Sequence, residues 1–156
     1  MKIIFNYLGF PEKSNIIRAI DDYEKIWKEE GTLIIEKIQT HSGMKFVVEE
    51  IQAYVHEDKS QSHPLLLRAS YSYEFKKATL IHELLHIILV DNKIKYKDPL
   101  TTHIELDKYY YDILMDMYGK KFLNMVIQKE SGFGGMYKQA WEVIKKEKQI
   151  IELRGS

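Results

Sequence analysis

The stretch His82-Glu83-Leu84-Leu85-His86 matches the pattern H-E-x-x-H. Residues four apart lie on one face of a helix, so both imidazoles can point at a single Zn²⁺ while the adjacent glutamate reaches a water on the metal. Zinc lowers the pKa of such a water to about 7. Glu83 can then act as the catalytic base that takes its proton as it attacks a carbonyl, and the same carboxylic acid can protonate the leaving amine. The surroundings sharpen the assignment: from Ala78 to Val90 the only polar residues are Thr79 and the three motif residues. Burying an unpaired polar group costs roughly 2 to 7 kcal/mol, and metal ligation removes that cost. The competing explanation is a pair of satisfied core histidines with Glu83 in a buried ion pair.

A catalytic zinc needs a third protein ligand and keeps one position open. His86 is followed by Ile87-Ile88-Leu89-Val90-Asp91-Asn92, so no further histidine comes from the same stretch. The next helical segment, beginning near Pro99, offers His103, Glu105 and Asp107. At about 100° per residue, His103 lies roughly 40° from the centre of the apolar stripe Leu106, Tyr110, Ile113, Leu114 and Met117, Asp107 about 80° and Glu105 about 120°. If the ligand lies on the face that packs inward, His103 is the best candidate, with Glu105 and Asp107 as the alternatives. Asp107, one turn on, suits an acceptor that orients the imidazole, and Glu105 is better explained as a helix cap.

The elements that must position these groups follow from periodicity and punctuation. Lys2 to Leu8 is a short strand, and Lys13 to Glu30 a helix with Ile16, Ile17, Ile20, Tyr23 and Trp27 apolar, stopped by Gly31. Thr32 to Thr40 and Met44 to Val55 are rich in β-branched and aromatic residues around a His41-Ser42-Gly43 turn, which predicts an antiparallel hairpin. Pro64 to Ala69 is one more strand, with proline where an edge tolerates a missing donor. Ser72 to Val90 forms the motif helix. The next begins either at Pro99 with Asp98 as cap or at Thr102 with Glu105 at capping-box spacing, and runs to about Tyr118 before Gly119. Helices over Lys121 to Lys129 and Tyr137 to Glu152 follow, joined by Ser131-Gly132-Phe133-Gly134-Gly135.

Composition narrows the function classes. With 156 residues the chain has the length of one domain, an α/β part over about 1–70 and a helical part over about 72–152. Lysine plus arginine number 23 and aspartate plus glutamate number 23, so there is no basic excess to neutralise nucleic acid or an anionic membrane. There is no cysteine, which excludes disulfides, thiolate zinc sites and cysteine nucleophiles and leaves nitrogen and oxygen to hold any metal. The amino terminus lacks a signal-peptide core, since Gly9, Pro11 and Glu12 interrupt its apolar run. The apolar run over Ala78 to Val90 is shorter than the roughly 20 residues that a bilayer span needs. The expected location is cytoplasmic.

With these residues in view, the sequence resembles the HExxH zincin metallopeptidases. It is similar to their small single-domain gluzincin-like (minigluzincin-type) members and, more loosely, to zinc-peptidase-like regulators of bacteria and archaea. The likeness runs over roughly Thr32 to Tyr118. In those families the third ligand is usually a glutamate followed four positions later by aspartate or asparagine; here His103 and Asp107 meet that spacing, with histidine in place of glutamate. The resemblance implies Zn²⁺ and an α+β, zincin-like fold: a small mixed or antiparallel sheet packed on the active-site helix, followed by a helical half. It also implies a peptide or protein substrate that pairs with an edge strand; Pro64 to Ala69 is the candidate.

The expected activity is therefore zinc-dependent hydrolysis of a peptide bond, with Glu83 catalytic and His82, His86 and His103 on the metal. The alternative is a catalytically inactive, zincin-like metal-binding module that serves regulation or interaction. A third possibility, a zinc-site ribonuclease, is disfavoured by the neutral charge and by the lack of a histidine close after the motif. A developing oxyanion needs a donor, for which Tyr110, Tyr111 and Tyr137 are candidates.

Overall fold

The computed structural model describes residues 1–8 and 14–155. The expected helix start at Lys13 and the interrupting residues Gly9, Pro11 and Glu12 lie outside them. The chain divides into two compact units, Met1–Ile94 and Lys95–Ser156, so the motif helix belongs with the sheet. No helix among the described residues is long and apolar enough to cross a membrane.

The first unit contains β1 (Lys2–Tyr7), α1 (Ser14–Ser42), β2 (Glu50–His56), β3 (Leu65–Arg68) and α2 (Tyr73–Asp91). The expected hairpin is absent, because α1 continues through Gly31 and takes up Thr32 to Thr40. The reason is visible along its buried face: Ile16, Ala19, Tyr23, Ile26, Gly31, Ile34 and Ile38 recur at helical spacing without a break. Gly31 is there for close approach rather than as a stop. A Cβ at that position would lie 2.8 Å from Cδ2 of Trp27, whose ring covers the glycine.

With α1 as a crossover, the strands on either side of it run the same way. The sheet is parallel throughout, in the order β1-β2-β3, and not mixed or antiparallel as expected. A strand, a helix and a second strand in one sheet make a βαβ unit, whose strands are parallel. The return from β2 to β3 is short. It succeeds because β3 begins opposite Ala53, so the loop retraces only about three residues, roughly 10 Å. Among the described residues one sheet face is the more deeply covered: Ile3, Ile51, Ala53, Val55, Leu65 and Leu67 are buried, while their neighbours Tyr54 and Leu66 are half-buried and Gln52 is exposed. Helices α1 and α2 pack together, α1 against β1 and β2 and α2 against β3.

The second unit is helical: α3 (Pro99–Tyr118), α4 (Lys120–Ser131) and α5 (Gly135–Gly155), each packed against the other two. Asp98 caps α3 by accepting from the Thr101 amide at 2.7 Å, with Pro99 at the first position, which decides between the two predicted starts. Gly119 ends α3 at φ 86°, a conformation that favours glycine.

Candidate metal centre

The α2 helix is buried along almost its whole length, from Phe75 to Leu89 with the exception of Lys77 and His86. Ser72 starts it, its hydroxyl accepting from the Phe75 amide at 3.2 Å. One turn apart on this helix, the Nε2 atoms of His82 and His86 lie 3.2 Å from one another and the rings meet edge to face. Two nitrogens bound to a tetrahedral zinc at about 2.0 to 2.1 Å are separated by roughly 3.3 Å. The pair is thus spaced as two neighbouring ligands of one ion would be.

Glu83 is buried beside them, and desolvation pushes its pKa up to about 8. A carboxyl poised near neutrality can hold a proton or accept one. Nearby, the buried ammonium of Lys76 pairs with Asp22 at 2.7 Å and stands over the Tyr23 ring. This buried ion pair, which the competing explanation would have placed on Glu83, joins Lys76 to Asp22 and does not include Glu83.

In the second unit, α3 sorts the three further candidates. His103 and Asp107 are buried one turn apart on its inner face. The His103 Nδ1 stands 2.9 Å from the Pro99 carbonyl oxygen and donates to it, which makes Nε2 the basic nitrogen. Burial holds its pKa below the usual imidazole value, against the raising effect of that hydrogen bond. The Tyr137 ring packs edge to face on this imidazole, with centroids 5.0 Å apart. Glu105 is neither ligand-like nor a cap: it points to the outer face and pairs with Lys108 at 3.0 Å. The cap it was expected to provide comes from Asp98.

Asp107 is 1 % exposed, and neither of its carboxylate oxygens has a hydrogen-bond partner among the described residues. Desolvation raises its pKa well above the ordinary carboxylate value. Within 4.8 Å of it lies a carboxylate oxygen of Glu130 on α4, also buried. Burial of a carboxyl without a hydrogen-bond partner is tolerated when the group is protonated or stands beside a cation. Glu130 is not among the candidates from the sequence, although its signal is there: it follows Leu123, Val126 and Ile127 at helical spacing and so places an acid on an apolar stripe.

Among the tyrosine candidates, Tyr110 is fully buried against Trp141, and Tyr111 lies beside the Lys148 ammonium. The proposed substrate edge is corrected in part. Strand β3 does lie at a sheet edge, but its outward groups are taken. Leu66 exchanges both backbone hydrogen bonds with Gln61 at 3.0 Å, the Arg68 amide donates to Ser60 at 2.9 Å, and the Arg68 carbonyl accepts from Tyr23 at 2.8 Å. No protein-family model, no curated protein and no solved structure matches this chain.

Proposed function

We propose that this protein is a zinc-dependent hydrolase of peptide bonds. The observation that carries the proposal is the 3.2 Å spacing of the His82 and His86 Nε2 atoms, with the Glu83 carboxyl buried next to them. When bound, Zn²⁺ supplies a Lewis acid and a water whose pKa falls to about 7. His82 and His86 would hold the ion through their Nε2 atoms, with His103 the third ligand that helical phase favours. Glu83 takes the proton of the attacking water and returns it to the departing amine. Its burial keeps competing solvent away from that exchange. Purified Glu83→Gln protein tests the assignment: it should keep its zinc and lose hydrolysis of a mixed peptide library, and retained cleavage would reject the mechanism.

The occupied outer edge of β3 favours a second reading, a metal-binding module without peptidase activity, because it removes the backbone pairing by which an extended substrate would be held. In that case wild type and Glu83→Gln both bind zinc and neither cleaves the library, while His82→Ala lowers thermal stability.

A further inference from the structure

The two edges of the sheet differ. On β1 the Lys2 amide donates to the Glu49 carbonyl at 2.8 Å and the Leu8 amide to the Val55 carbonyl at 3.1 Å. In parallel pairing this register turns the backbone groups of Lys2, Ile4 and Asn6 toward β2 and those of Ile3, Phe5 and Tyr7 away from it. Among the described residues nothing pairs with these outward groups, in contrast to those of β3. An unpaired edge is a template for another strand.

We infer that this edge joins a second copy of the chain, β1 pairing antiparallel with its counterpart to give one six-stranded sheet. The charge pattern selects that occupant. Beside the end of β1 near Tyr7 lies a groove of about 560 Å³ lined by Asp21 and Glu24 of α1. Beside the other end lies one of about 380 Å³ lined by Lys2 and Lys28, with Glu24 at the boundary between the two. A two-fold axis at Phe5 sets Ile3 opposite Tyr7 of the other copy and turns the basic end of each edge toward the acidic end of the other. Such a patch complements itself on reversal, as an isologous interface requires. Tyr7 and Ile17, each 47 % exposed, supply apolar area beside the paired strands.

Sedimentation equilibrium of the full chain over the micromolar range should show a monomer–dimer equilibrium. Tyr7→Pro removes an outward donor and none that β2 uses, so it should weaken the dimer at least about tenfold while far-ultraviolet circular dichroism stays unchanged. Lys28→Glu and Asp21→Lys should each weaken it, and the double variant should recover most of the loss. A monomer at every concentration overturns the proposal. So does a dimer that neither Tyr7→Pro nor the charge reversals disturb. Should Tyr7→Pro fail to fold, the charge-reversal series alone decides.

Discussion

The Tyr23 hydroxyl donates to the Arg68 carbonyl across 2.8 Å, tying the middle of α1 to the last residue of β3. The hydroxyl thus closes the outer edge of β3 and fixes the helix that made the sheet parallel. Removing it by Tyr23→Phe leaves a carbonyl without its donor and should cost about 1 to 2 kcal/mol, read from urea midpoints at neutral pH. Burial raises the Tyr23 pKa well above the ordinary 10.0, helped by the nearby Tyr71, Asp22 and Glu83. The folded value therefore exceeds the unfolded one. The stabilisation is fully present below about pH 10 and is lost as pH rises above it toward the folded pKa. Wild type should lose stability above pH 10 more steeply than Tyr23→Phe does; parallel slopes would show that Tyr23 ionises freely.

Zinc content separates the roles along the motif helix. Wild type should bind about one zinc per chain, and His82→Ala or His86→Ala should abolish binding, as measured by elemental analysis after dialysis. Chelation of the wild-type metal should lower Tm. At a free zinc concentration of about a hundred times Kd the linkage is about 2.7 kcal/mol, which for a chain of this size is roughly 5 to 10 °C.

The third ligand can be read from two substitutions on α3. His103→Ala should reduce zinc affinity by at least about tenfold, whereas Glu105→Ala should leave it unchanged. Glu105 loses only an ion pair to Lys108 that is about one-third exposed on both sides, so its stability cost should stay below about 1 kcal/mol. Full zinc affinity in His103→Ala, by competition with a chromogenic chelator, would remove it from the ligand set. Asp107→Asn in the same assay asks whether the buried carboxylate serves the metal.

Gly31→Ala sets two effects against each other. Alanine gains about 1 kcal/mol of helix propensity, but its Cβ meets the body of the Trp27 ring at 2.8 Å, and such overpacking costs about 1 to 3 kcal/mol. A lower Tm is expected in the wild-type background. In a Trp27→Ala background the clash is gone and the same substitution should stabilise. Equal effects in both backgrounds would mean that the ring does not constrain the glycine.

The motif helix, its Ser72 cap, the Asp98-Pro99 start of α3 and the Gly119 stop are all written in local sequence, because capping and periodicity involve residues within a turn or two of one another. For the same reason the inward faces of His103 and Asp107 and the outward face of Glu105 could be derived from helical phase alone. Local sequence was insufficient where distant partners decide. Thr32 to Thr40 has the β-branched content of a strand, yet packing of Ile34 and Ile38 in phase with Ile16 and Tyr23 holds it in the helix. Strand direction depended on that outcome, since a long helix between β1 and β2 returns the chain to the same end of the sheet.

By itself, then, the sequence determined the chemistry on offer: two imidazoles and a carboxyl on one helical face, in a chain without thiols. Tertiary structure decided the rest. It drew the two Nε2 atoms to ligand spacing, buried Glu83 so that its proton affinity rose, and brought Glu130 beside Asp107 from a different helix. It also closed one sheet edge with Gln61, Ser60 and Tyr23, while nothing among the described residues pairs with the other. Burial and pairing depend on residues far apart in the chain, and no local pattern encodes them.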